Sequence, residues 1–147
     1  MALRTAATCS PLLQLPQGLI QVAAFRVDWV RTWGSGTAAD APFKADAVTQ
    51  SGIGTHKPDG RTYLFALRVY WHESRALEPK RSMGPDVENT AKTITDAFSG
   101  VLYADDDLRF VCAVQSECFG IPDNQAEHTR VWIFAVPAVG PGAAITD

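Results

Sequence analysis

The chain has 147 residues, of which 46% are hydrophobic, 20% charged and 10% aromatic. This is the common length of one domain, with enough apolar material for a core and too much for intrinsic disorder. Thirteen Lys and Arg against sixteen Asp and Glu leave a formal charge of −3, which excludes a blanket basic coat for nucleic acid but not a local basic face.

The first 27 residues contain no Asp or Glu and include Arg4. Pro11 and Pro16 interrupt the stretch before a leader-like apolar run can form. No run approaches the roughly 18 to 20 apolar residues that span a bilayer, so the expectation is a cytoplasmic protein with no membrane partner. Residues 18–30 read as a strand, with Phe25 and Val27 on one face and Arg26 and Asp28 on the other. Residues 37–50, rich in Ala and Asp, are ambiguous and left unassigned, with one helical turn or two. Gly52, Gly54 and Pro58-Asp59-Gly60 mark turns. Residues 61–72 are the clearest strand, with Tyr63, Phe65, Leu67, Val69 and Trp71 on one face. The opposite face is mixed, as in a sheet covered on one side and partly open on the other.

Residues 74–85 read as a polar loop carrying Arg75, Lys80 and Arg81. The best helix covers residues 87–99, with Pro85 just before it, Asp86 and Glu88 at its positive end and Gly100 at its stop. Val87, Ala91, Ile94 and Phe98 form its apolar stripe. Residues 101–103 and 110–114 read as short strands around an acidic turn, and 131–136 as a final strand. The interleaved elements predict a single α+β domain, a mixed sheet packed against helices, with residues 1–17 and 137–147 peripheral or mobile.

Cys9, Cys112 and Cys118, with His56, His72 and His128, lack the spacing of a zinc site or a disulfide framework, and the cysteines read as reduced thiols. Acidity is concentrated elsewhere. Residues 85–107 hold six of the sixteen acids and one base, Lys92, which leaves ten acids and twelve bases in the remainder. An extended chain from Gly100 to Asp106 covers about 20 Å, and the helix advances about 16 to 18 Å, so Asp105 and Asp106 can run back toward Asp86 and Glu88. Clustered carboxylates need a positive charge between them, and hard oxygen donors suit Mg²⁺ or Mn²⁺. Lys92, one turn beyond Glu88, shares that face and can serve as a phosphate clamp. The alternative remains open: Asp86 and Glu88 as dipole complements, Glu88–Lys92–Asp96 as an i,i+4 ladder, and Asp105, Asp106 and Asp107 as a solvated turn. An acidic turn of this kind also suits a Ca²⁺-binding or protein-interaction domain.

The segment Pro85-Asp86-Val87-Glu88-Asn89, then Lys92, Asp96 and Gly100-Val101-Leu102-Tyr103-Ala104-Asp105-Asp106, closely resembles the signature of the RusA family of Holliday-junction resolvases. It covers about a sixth of the chain. The resemblance implies a RusA-like fold and a homodimeric endonuclease of DNA recombination and repair that cuts four-way DNA junctions with Mg²⁺, Mn²⁺ substituting. It assigns the metal-binding acids to Asp86, Glu88 and Asp106, the catalytic lysine to Lys92, and supporting positions to Asn89, Asp96 and Asp105, with Asp105 also near the metal. Lys80, Arg81, Arg75 and Asn89 are the expected DNA contacts, and Asp107 is a bystander. Two positions depart from the pattern. Glu88 stands where the family has Asp, and Met83-Gly84-Pro85 separate the bases from the first acid. A catalytically weak or inactive junction-binding protein of the same fold is therefore the alternative.

Arg61, Arg68, Arg75, Lys80 and Arg81 could form one phosphate-contacting face or be solvated charges. Trp29, Trp33, Trp71 and Trp132 are read as core or dimer contacts before base-stacking platforms, and His72 as a packed or surface histidine.

Overall fold

The computed structural model describes residues 18–30, 36–54, 61–76, 87–104 and 110–136, with side chains at all of these except 36–40, 75–76 and 87–89. Four strands, β1 (Ile20–Val27), β2 (Thr62–His72), β3 (Val111–Ile121) and β4 (His128–Val136), form one sheet in the order β1-β4-β2-β3. The helices are α1 (Gly36–Ser51), α2 (Glu73–Ala76) and α3 (Val87–Ala97). β4 is antiparallel to both β1 and β2, while β2 and β3 are parallel. The sheet is thus mixed and the fold α+β, as the interleaving of elements predicts.

The parallel pair dictates the connection. Parallel neighbours need a crossover, and α2 and α3 lie within the one joining β2 to β3. β2 is interior and largely buried on both faces: Tyr63, Phe65 and Val69 are fully covered on the helix-facing side, and Leu64 and Tyr70 are buried on the other. Val131, Ile133 and Ala135 of β4 continue that face, as do Ala23 and Val27 of β1. Phe43 and Ala47 from α1 and Ile94, Ala97 and Phe98 from α3 close over it. Both long helices therefore pack on the same side of the sheet.

Four sequence expectations are corrected. Residues 37–50 belong to the full-length helix α1, not one or two turns. Its apolar stripe is narrow, Phe43 and Ala47 with Val48 beside them, and Pro42 inside the helix removes one backbone hydrogen bond, so the helical signal is weak. What fixes the helix is tertiary: the Trp29 indole nitrogen donates to Asp46 Oδ2 at 2.7 Å, and its ring meets Phe43 edge-on at 4.9 Å. The loop predicted from residue 74 starts with the helical turn α2. Residues 101–103 form no strand, only a turn with an isolated bridge between Ser99 and Tyr103. β3 extends to Ile121, well past residue 114. It is an edge strand with a patchily buried first half, so Gln115, Ser116 and Glu117 disguise it.

His72 holds a turn together, in line with a structural reading. Its backbone N–H donates to Glu127 Oε1 at 2.9 Å and its ring Nε2–H to the Gln125 carbonyl at 2.7 Å. Cys112 and Cys118 are free thiols. No described helix is long and apolar enough to cross a membrane. Cys9, Trp33, His56, the turn at Pro58-Asp59-Gly60 and the segments 1–17 and 137–147 lie outside the described residues.

Candidate functional site

The acidic motif belongs to α3 and the turn after it. Along α3, Ile94 and the following Phe98 are fully buried and Thr90, Thr93, Thr95 and Ala97 nearly so, while Ala91 is half-buried. Of the apolar stripe expected from Val87, Ala91, Ile94 and Phe98, the last two are in the core and Ala91 borders it, threonines widen the buried face, and the Val87 side chain lies outside the description. The helix ends where Gly100 takes a positive φ of 81°, a conformation glycine adopts without steric cost.

Past that glycine the chain is locked, not extended. The Gly100 N–H donates to the Tyr103 carbonyl at 2.6 Å, and the N–H groups of Val101 and Leu102 donate to the Phe98 carbonyl at 3.0 and 2.9 Å. The Tyr103 hydroxyl, fully buried, donates back to the Thr95 carbonyl at 2.5 Å. Its ring lies 6.0 Å from Tyr63 and 6.5 Å from Phe110. Tyr103 is thereby pinned at the C-terminal end of α3, and Phe110 beside it, its carbonyl accepting the Tyr63 N–H at 2.7 Å. Both flanks of the acidic turn are fixed at the start of β2. The extended return from Gly100 toward Glu88 is corrected accordingly: residues 100–103 are spent in a turn. What remains up to Asp106 has a reach of about 10 Å, against about 10 Å of helix axis between Thr95 and Glu88.

Tyr103→Phe tests this anchor. Removing the hydroxyl takes one hydrogen bond from the Thr95 carbonyl, which still accepts the Phe98 N–H at 3.3 Å, a loss of about 0.5 to 1.5 kcal/mol, which urea unfolding measures. A loss below about 0.3 kcal/mol would show that the bond is not holding the turn.

Lys92 is exposed on the outer side of α3, with its Nζ 3.5 Å from Asp96 Oδ2. That i,i+4 ion pair is one rung of the expected ladder and is held only weakly at such exposure, so the ammonium is free to swing toward an anion. Glu88 and Asn89 lie in the first turn of α3 and Arg75 in α2, with side chains outside the description. Asp86, Asp105, Asp106, Asp107, Lys80 and Arg81 lie outside the described residues. Among the described residues no three metal-ligating side chains cluster.

The proposed single basic face is corrected. The Arg61 guanidinium sits 5.6 Å over the core ring of Tyr63, whereas Arg68, seven residues on, projects from the opposite face and reaches Phe119 and Trp132. An odd separation along a strand puts two side chains on opposite faces. Trp132 is likewise outside the main core, half-buried on the face away from the helices, while Trp29 and Trp71 pack where expected.

That second face joins Arg26, Arg68 and Trp132, which the sequence names only separately, with Arg130, which the sequence reading did not single out. The strand register sets Arg26 opposite Arg130 and Arg130 opposite Arg68, with Glu117 at the end of the row. The signal was present as a period of two in His128, Arg130, Trp132 and Phe134, but the strand was expected to begin at 131, after the first two. Compared with models of known protein families, with curated proteins and with solved structures, the chain matches none.

Proposed function

We propose that this protein is a Mg²⁺-dependent, homodimeric endodeoxyribonuclease that cuts four-way DNA junctions. The observation that carries the reading is the order of chemistry on one continuous unit. Glu88 lies in the first turn of α3 with Asp86 just ahead of the helix in the sequence, Lys92 is accessible one turn on, and a glycine-terminated, tyrosine-anchored turn leads directly into the sequence Asp105-Asp106.

The donor set fits the ion. Asp86, Glu88 and Asp106 offer carboxylate oxygens and neither sulfur nor nitrogen, which suits Mg²⁺ or Mn²⁺ over zinc. When bound, such an ion neutralises phosphodiester charge and makes water a better nucleophile. Lys92 supplies a mobile cation for the scissile phosphate or the leaving oxygen, and Asp96 parks it between turnovers. Arg75, Lys80, Arg81 and Asn89 contact the backbone, which carries branch shape and no base sequence. Two symmetric cuts call for two equivalent sites, which a two-fold dimer supplies. The test is incubation with synthetic four-way junctions and Mg²⁺: paired symmetric nicks are expected, and their absence would refute the activity.

Glu88 favours a second reading, a weak or inactive junction binder. Its extra methylene displaces a ligand by about a bond length, and errors near 1 Å can cost about a hundredfold in rate. Glu88→Asp is therefore expected to raise junction cleavage about tenfold or more in single-turnover assays. Unchanged negligible cleavage in both proteins, with junction binding intact in EDTA, would establish the non-catalytic binder instead.

A further inference from the structure

We infer that the sheet face turned away from α1 and α3 is a binding platform for single-stranded DNA, built around Arg26, Arg130, Arg68 and Trp132. This site is distinct from the acidic motif. The choice of DNA over RNA rests on the nuclease reading; the single-stranded character does not.

The first observation is the arginine row. Arg26, Arg130 and Arg68 occupy directly opposed positions on three neighbouring strands, spanning about 10 Å at the usual strand spacing. Like charges placed directly opposite each other destabilise a sheet, so this arrangement opposes folding. Only the ends are balanced: Arg26 pairs with Asp28 at 2.7 Å, and Arg68 lies 3.9 Å from Glu117. Arg130, in the middle and exposed, has no carboxylate partner among the described residues. Its guanidinium instead lies 5.0 Å from the centre of the Trp132 ring. An anion laid along the row relieves the repulsion, which is the charge complementarity that a phosphodiester backbone offers.

The second observation is the space around the indole. The residues directly opposite Trp132 are Ala24 on β1 and Ala66 on β2, so the large groups against the ring are the guanidinium groups of Arg130 and Arg68, 5.0 and 5.5 Å from its centre. Two hollows result. One, of about 360 Å³, is bounded by Arg26, His128, Arg130 and Trp132. The other, of about 370 Å³, lies between Trp132, Arg68, Glu117 and Phe134. Both are at the small end of ligand clefts, and they share the indole as a wall.

An aromatic wall beside a phosphate-binding cation suits a splayed base and its own phosphate, since every base offers a face for stacking. Paired bases within a duplex cannot enter such a hollow. A four-stranded sheet with accessible aromatic side chains is a recurrent platform for unpaired nucleotides.

The test is fluorescence anisotropy of a labelled 15-nucleotide oligo-dT with the full chain in EDTA, with an rU oligonucleotide and a 15-bp duplex as comparisons. Omitting metal and junction separates this result from nuclease activity, which is scored in its own assay. Oligo-dT is expected to bind more tightly than the duplex. Arg26→Gln with Arg130→Gln is expected to weaken it at least tenfold and to lower the salt slope by about 1.4, at roughly 0.7 per lost phosphate contact. Trp132→Leu is expected to weaken binding about tenfold and Trp132→Phe to retain it, with folding verified by circular dichroism. Absence of oligo-dT binding, or affinity unmoved by the arginine pair, would overturn the site. Tighter rU binding would overturn the DNA assignment. Substitutions that change the oligomeric mass by light scattering but not the oligo-dT affinity would make the face a self-association surface instead.

Discussion

Asp106→Asn is expected to reduce cleavage of a synthetic four-way junction by about a thousandfold or more, with junction binding in EDTA unchanged. The substitution keeps the shape of the side chain and removes its charge. A metal ion contributes several kcal/mol of transition-state stabilisation, and about 4 kcal/mol corresponds to a factor of about a thousand. Asp86→Asn is expected to behave the same way, since each removes one anionic ligand from the same ion. The two losses combined should fall well short of their product, because groups that act as a unit are not additive. Single-turnover nicking at saturating protein isolates the chemical step from binding. Full activity in either single variant would refute the assignment of that carboxylate to the metal.

The convergence behind this expectation is demanding. Tyr103 is tethered to Thr95, so Asp106 reaches Glu88 only if the intervening residues lie extended along α3. This sharpens the prediction for Tyr103→Phe. Loosening the anchor moves the acidic turn, so cleavage should fall together with stability, whereas a turn with no role in the site should lose stability alone.

The sequence exposed those parts of the fold whose burial is periodic. β2 is legible because every second residue from Tyr63 to Trp71 is apolar and buried, and α3 announces itself through its start and stop signals and the spacing of Ile94 and Phe98. α1 was obscure because Phe43 and Ala47 are its only fully buried described side chains, and its position depends on Trp29, a residue outside the helix. The second half of β3 was obscure because Glu117 is polar yet nearly covered, lying against Arg68. Neither contact is local in sequence.

The candidate chemistry divides the same way. Spacing along one helix and its turn is local, so Glu88, Lys92 and Asp96 could be placed on α3 without coordinates. The row of Arg26, Arg130 and Arg68 depends on the register of three strands drawn from both ends of the chain. A shift of one residue in β4 would turn Arg130 to the opposite face, so composition could allow a local basic face but could not locate it.

Phe98→Ala is expected to cost the protein about 3 to 5 kcal/mol, the usual range for truncating a buried aromatic ring. The side chain is fully buried, with its ring 6.0 Å from those of Phe25 and Phe65. It therefore joins β1, β2 and the end of α3 at one point. Its carbonyl accepts the two N–H groups that form the turn toward Tyr103, so a cavity there also loosens the frame of the acidic motif. A loss of that size is a large part of the 5 to 15 kcal/mol that stabilises a typical domain, and it lowers Tm by about 10 °C or more at this chain length. Phe98→Leu keeps most of the volume and is expected to lose less than half as much. Urea unfolding and thermal melts of the two variants give the comparison. A loss below 1 kcal/mol for Phe98→Ala would mean that α3 is held by something other than this ring cluster, and the placement of Lys92 and Glu88 above it would lose its support.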